Sequence, residues 1–238
     1  MKLLRKLALT FAISGCMMFN SCSSISDTDF EVNGVKFKMI AVEGGSFVMR
    51  GTSEQGKDAT IVDDFLIGET EVTQDLWFAV MGNNPSCFKS DEGNLPVENV
   101  SWHDAQAFIK KLNEITKKQF SLPSEIEWEY AAYGGRKSNS QKYAGSNEIN
   151  NVAWYKDNSN EKSHIVATKK SNELGIYDMS GNIWEWCLSM PANDDDVNSV
   201  LRGGSFGNDT TWLIPSVRYP YLKDDKNQYI GFRILLVP

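Results

Sequence analysis

A chain of 238 residues with 41% hydrophobic and 23% charged side chains is long enough for one sizeable domain and too apolar for a disordered segment. The formal net charge is −7, and without Lys2, Arg5 and Lys6 at the N-terminus 21 bases stand against 31 acids. Such a chain repels phosphate backbones and no basic stripe offsets the repulsion, so nucleic acid is not expected as a partner.

Met1 to Cys22 reads as an export signal. Lys2, Arg5 and Lys6 form a positive start, and residues 7–19 an apolar run too short to span a bilayer. Two cysteines compete as lipid-attachment sites. Cys16 follows the small residues Ser14 and Gly15 but has Lys6 close in front; Cys22 is better spaced from the charges but follows Asn20 and Ser21. Either implies a lipoprotein of the cell envelope that touches the membrane through acyl chains only. The competing reading is ordinary secretion with full cleavage. Residues 23–30 are polar and acidic, a short tether, and residues 31–238 form the domain. Cys87 and Cys187 remain, either as a disulfide or as two buried free thiols.

Val35 to Ala41 alternates like a half-buried strand, 43–47 turns it, and Phe47 to Met49 resumes. Residues 51–58 are a loop and 65–71 another strand. Three helices follow. Thr73 caps the first, which ends at Gly82. Ser101 and Asp104 make a capping box for the second, with Ala105, Phe108, Ile109, Leu112 and Ile115 on one face. Ser124 and Glu127 open the third, and Gly134-Gly135 closes it. Beyond it periodicity fades into polar loops and short apolar islands, with a closing strand at 229–237. Seven tryptophans and 18 glycines describe a loop-rich domain held by aromatic packing. No linker divides it.

The densest candidate site is Leu174 to Cys187. Ser180-Gly-Asn182 is turn chemistry, and Asp178 and Glu185 flank it. Carboxylates with main-chain carbonyls on an irregular loop suit a hard cation such as calcium. The competing reading makes Trp184 and Trp186 core anchors and leaves the acids solvated. Gly203 to Gly207 matches G-x-S-x-G, but no helical pattern follows, and His103 and His164 both precede Ser205. Two histidines without H-x-x-x-H spacing make no zinc site. Glu125, Glu127 and Glu129 do not read as a catalytic acid pair.

Several strings, in order along the chain, resemble the formylglycine-generating enzyme, or sulfatase-modifying factor, family. They include Gly44-Gly-Ser-Phe47, Glu69-Thr-Glu-Val-Thr73, Leu122-Pro-Ser-Glu-Ile-Glu-Trp128, Gly181-Asn-Ile-Trp-Glu-Trp186, Arg202-Gly-Gly-Ser-Phe206 and Gly231-Phe-Arg233. The resemblance covers nearly the whole mature chain and implies an α+β fold, a loop-rich variant of the C-type lectin fold. By position it implies a structural calcium site of Asp178, Gly181, Ile183 and Glu185, with Asp178 where the enzymes usually have Asn. A second family calcium site would fall near Asn151 and Val152, but its later ligands have no counterpart in the shortened 157–164 loop.

The family's enzymes hold copper(I) with two cysteines soon after the Gly-Gly-Ser string. Those positions are Asn208 and Leu213 here. Copper(I) wants soft thiolates, so copper is not expected and formylglycine generation is read as lost. The first functional expectation is therefore a non-catalytic binding or structural module for a protein, peptide or glycan. The alternative is a divergent oxidase acting on sulfatase cysteines. Relatives of lectin type that are diversified by retroelements vary between the Arg-Gly-Gly-Ser and Gly-Phe-Arg strings. By that resemblance Asn208, Trp212, Arg218, Tyr219 and Tyr221 are the ligand-binding candidates. Tyr and Trp offer large contact area at modest entropic cost. The competing reading has these aromatics filling the core.

Overall fold

Asn33-Gly34 supplies two consecutive positive φ angles, 50° and 84°, and so folds the start of the domain into a two-residue hairpin. A computed structural model describes residues 25–50, 59–90, 94–188 and 197–238. The export signal, Cys16, Cys22 and the loop at 51–58 lie outside the described residues. The hairpin joins β1 (Thr28–Val32) to β2 (Val35–Val42). Residues 28–30, expected in the tether, are thus already strand, because Phe30 packs its ring on Phe37 at 5.4 Å.

β3 (Gly45–Phe47) and β4 (Thr60–Val62) form a separate ribbon, and β5 (Phe65–Gly68) pairs antiparallel with β2. The strand expected at 47–49 begins two residues earlier, as β3. Helices α1 (Gln74–Met81) and α2 (Trp102–Thr116) follow. Thr73 accepts from the Leu76 N–H, Gly82 ends α1 at φ 79°, and Ser101 and Asp104 cap each other's backbone at the start of α2. β6 (Phe120–Ser121) leads to α3 (Glu125–Ala132), opened by the Ser124–Glu127 box. A short α4 (Ile149–Val152) lies in the region read as loop.

The C-terminal third builds a second sheet. β7 (Trp184–Trp186), β8 (Asn198–Arg202), β9 (Tyr219–Leu222) and β10 (Ile230–Gly231) pair in the order β10-β7-β8-β9. β11 (Leu235–Leu236) then returns to the first sheet, whose order is β1-β2-β5-β11-β6. The single closing strand expected at 229–237 is therefore two, because Gly231 to Ile234 carries the chain from one sheet to the other. Gly231 is demanded by that passage: a Cβ there would lie 2.2 Å from the Val97 carbonyl oxygen.

Aromatic packing joins the helices to the sheets. Trp77 of α1 stacks on Phe108 of α2 at 5.3 Å, and Phe108 meets Phe232 edge-on at 5.4 Å. Such pairs each add about 0.5–1.5 kcal/mol beyond their buried area. Trp186 is fully buried and donates to the Val100 carbonyl, and Trp184 is buried in the same cluster, so the competing reading of both indoles as core anchors holds. Among the described residues no helix is long and apolar enough to cross a membrane.

Candidate functional site

Two neighbouring regions carry the predicted residues. The first is the turn before β7. Asp178 and Asn182 hold φ angles of 59° and 57°, which their short polar side chains tolerate. The acids here are not solvated. Asp178, Glu185 and Glu71 are all buried, together with Gly181 and Ile183.

Glu185 is fully engaged. Arg233 donates to its two carboxylate oxygens through Nε and Nη2, both at 2.6 Å, and the Trp128 indole N–H adds a third bond at 2.6 Å. Arg233 completes its donor set on the Gly68 and Tyr177 carbonyls, tying the second sheet to the first. Asn182 donates to Glu71 Oε1 at 3.1 Å and accepts from the His164 N–H at 2.9 Å. Asp178 Oδ2 accepts from the Ala167 N–H at 2.8 Å.

Two oxygens in this buried pocket, Asp178 Oδ1 and Glu71 Oε2, receive no donor from the rest of the chain, and the two carboxyls lie within hydrogen-bonding reach of each other. Burial pushes the Asp178 carboxyl up to about 6, and burial plus the Asp178 charge pushes Glu71 well above the ordinary range. Three carboxyl groups surround one guanidinium, and the upward shifts of Asp178 and Glu71 favour their protonated forms. Glu185, expected as a calcium ligand, is hydrogen-bonded to Arg233 and Trp128, whereas Asp178 Oδ1 and Glu71 Oε2 receive no such donor. Among the described residues no group of three or more His, Cys, Asp or Glu side chains is arranged around one metal position.

A second buried pair sits beside it. Arg202 lies between Glu129 at 2.8 Å and Glu125 at 3.3 Å. These two acids are four apart on α3 and so share a face. They serve as counter-ions to Arg202.

The second region is an open cleft of about 410 Å³ on the sheet of β7 to β10. Its walls are the rings of Trp184, Trp212, Tyr219, Tyr221 and Tyr229, and Asn208 lies at its edge. Strand alternation puts Tyr219 and Tyr221 on one face of β9. Trp184 and Tyr219 stack at 5.7 Å with 28° between planes, and Tyr221 continues the row at 5.9 Å and 33°. Trp212 stands nearly perpendicular to both Trp184 and Tyr219, at 75° and 89°. Trp212 and Tyr219 keep 37% and 40% of their surface in solvent, so these two rings do not fill the core.

Four of the five ligand-binding candidates thus converge. The fifth, Arg218, turns away and holds both oxygens of Glu125. Asn208 is bound through its side-chain oxygen to the Ser205 N–H at 2.9 Å and hydroxyl at 2.7 Å. Ser205 itself is buried, which a nucleophile elbow would not allow. Leu213 is fully buried behind Gly204 and does not reach the cleft. No residue of the cleft wall is a cysteine. Cys87 is exposed and Cys187 buried, and both thiols are free. His164 stacks on Trp154 at 3.7 Å, whereas exposed His103 lies 3.5 Å from Asp224.

Sequence reasoning found the turn but missed Glu71, Asn182, Trp128 and Arg233 as its partners. Each belongs to one of the ordered strings, which was the only signal available.

The chain matches the family described as "Sulfatase-modifying factor enzyme 1-like domain" over residues 28–237, and it belongs to that family. It is 34% identical to "Chaperone protein LppX" of Paenibacillus barcinonensis over 85% of this chain and 89% of that protein. It is 29% identical to "Inactive C-alpha-formylglycine-generating enzyme 2" of Bos taurus, over 88% and 73% of the two chains. Among solved structures, "Treponema denticola variable protein 1" superposes with a TM-score of 0.79 at 30% identity, covering 89% of this chain and 99% of that one. "CarF" superposes with a TM-score of 0.72 at 26% identity, over 85% and 98%. These likenesses agree with the α+β, C-type-lectin-like architecture.

Proposed function

We propose that this member of the sulfatase-modifying-factor family is a non-catalytic binding module of the cell envelope, which captures its ligand in the aromatic cleft. The observation that carries the reading is the exchange at one position. Where the family's enzymes place a copper thiolate, Asn208 stands beside five aromatic rings, and its oxygen is spent on Ser205. Two-coordinate copper(I) needs two thiolates, and the second position, Leu213, is packed away from the cleft. Part-exposed Tyr and Trp rings on a rigid sheet are the side chains that dominate recognition surfaces. The likeness to a relative named inactive and to another named a chaperone supports the same direction.

The test is an array of immobilised peptides and oligosaccharides, probed with the mature domain and with a Trp212→Ala/Tyr219→Ala/Tyr221→Ala variant. Signals that the wild-type domain gives and the variant loses are expected. Equal signals from both proteins, with the variant folded, would overturn the assignment.

The turn is proposed as a structural calcium site in amended form. Asp178 Oδ1 and Glu71 Oε2 would supply the carboxylate oxygens, with carbonyls of the Gly181–Ile183 turn beside them. That both oxygens are buried and receive no donor from the rest of the chain supports this. Calcium would offset the local excess of negative charge and brace a loop-rich segment. Anchoring through an acylated Cys16 or Cys22 is part of the same proposal; radiolabelled palmitate incorporation that survives Cys16→Ser but not Cys22→Ser, or the reverse, would assign the site.

A further inference from the structure

The chemistry of the cleft wall points to one ligand class. We infer that the cleft receives a proline-rich segment in the polyproline II conformation. This inference rests on the binding reading above and narrows it.

Among the described residues the wall carries no charged side chain, in a protein with 23% charged residues, which suits a neutral ligand segment. Its polar groups are unequal. The Asn208 oxygen is occupied by two donors from Ser205, and the Asn227 oxygen accepts from the Tyr229 N–H at 2.9 Å. Asn227 Nδ2 donates to the Tyr221 hydroxyl at 3.0 Å, which leaves that hydroxyl's own hydrogen free to donate outward. Among the described residues, the indole N–H groups of Trp184 and Trp212 and the amide hydrogens of Asn208 have no acceptor in the chain. The cleft therefore presents open donors, while the Asn208 oxygen is filled and the Asn227 oxygen is half used.

A polyproline segment is complementary to that imbalance. Its prolines carry no N–H, so they need no acceptor, while every residue presents a carbonyl to receive a donor. The helix also has no internal hydrogen bonds, which leaves those carbonyls free. Geometry agrees. The stacked row of Trp184, Tyr219 and Tyr221 advances in steps of 5.7 and 5.9 Å. Polyproline II repeats about every 9 Å, so the row spans about one turn of such a helix. Perpendicular Trp212 closes one side and makes a corner in which a pyrrolidine ring packs against two aromatic faces. Because the ligand is already extended and stiff, little entropy is lost on docking. A glycan fits less well, since its many hydroxyl donors require acceptors and the wall holds no carboxylate.

Titration of the mature domain with an acetylated, amidated hexaproline, followed by indole fluorescence and calorimetry, tests the inference. Hexaproline is expected to bind in the micromolar to millimolar range, and an acetylated hexaglycine at least tenfold more weakly. Trp212→Ala is expected to weaken hexaproline binding at least tenfold, with the circular dichroism spectrum unchanged. Trp212→Phe, which keeps the ring and removes the donor, is expected to weaken it less. No binding of hexaproline at 10 mM, or equal affinity for hexaglycine, overturns the inference. Preference for N,N′-diacetylchitobiose over hexaproline, lost in the Trp212→Ala variant, also overturns it but leaves the cleft as a binding site. Cleft-independent array signals would remove both.

Discussion

The buried turn and the aromatic cleft share β7, yet opposite physics governs them. At the turn, Glu185, Asp178 and Glu71 are sealed from water around one guanidinium. In the cleft, a few ångströms along the strand, Trp184 faces a wall in which the described residues carry no charge. A buried ion that loses its partner costs several kcal/mol, whereas a part-exposed ring that is truncated costs little because it had buried little. The turn is thus where burial of charge holds the domain together, and the cleft is where aromatic surface is left in solvent.

The largest effect is expected from Arg233→Met. It leaves Glu185 buried beside two other carboxyls and should lower stability by about 3–5 kcal/mol in urea unfolding. A loss below 1 kcal/mol would mean the two sheets are not joined through this pair. Calcium comes next. At a concentration about 100 times its dissociation constant it should stabilise the domain by about 2.7 kcal/mol, and EDTA should reverse the rise in melting temperature. Asp178→Asn should reduce that gain yet raise the calcium-free melting temperature, because one buried charge is removed. A melting curve indifferent to calcium and EDTA would retire the site.

A buried acid outside both regions sharpens the contrast through pH. Burial pushes Glu98 up to about 7, although it accepts from the Phe88 N–H at 2.9 Å. The folded state therefore keeps this proton longer than the unfolded chain does. The contribution is full below about pH 4.5 and is lost as pH rises through about 7. Glu98→Gln, which keeps the acceptor, should flatten that part of the stability profile and raise the melting temperature at pH 8 relative to the native protein. An unchanged profile would show that Glu98 ionises freely.

The smallest effect on stability belongs to the cleft. Trp212→Ala with Tyr219→Ala should cost about 1–2 kcal/mol while abolishing ligand binding. A loss as large as that of Arg233→Met would erase the distinction between the two regions.

Local chemistry was legible wherever neighbours in sequence were also neighbours in space. Thr73, Ser101 and Ser124 cap their helices as read, because a capping bond closes over three residues. Asn33-Gly34 carried an equally local signal, and the acidic run around it hid the first strand. The ordered strings were enough to expect an α+β, lectin-like architecture and to see that the copper positions are Asn208 and Leu213. Tertiary structure alone decided the rest. It committed Glu185 to Arg233, 48 residues away in sequence. It turned Arg218 onto Glu125 and assembled Trp184, Trp212, Tyr219 and Tyr221 from three separate stretches into one wall. Which oxygen is spent on a guanidinium and which is left unpartnered is set by contacts across sheets, and no spacing along the chain encodes it.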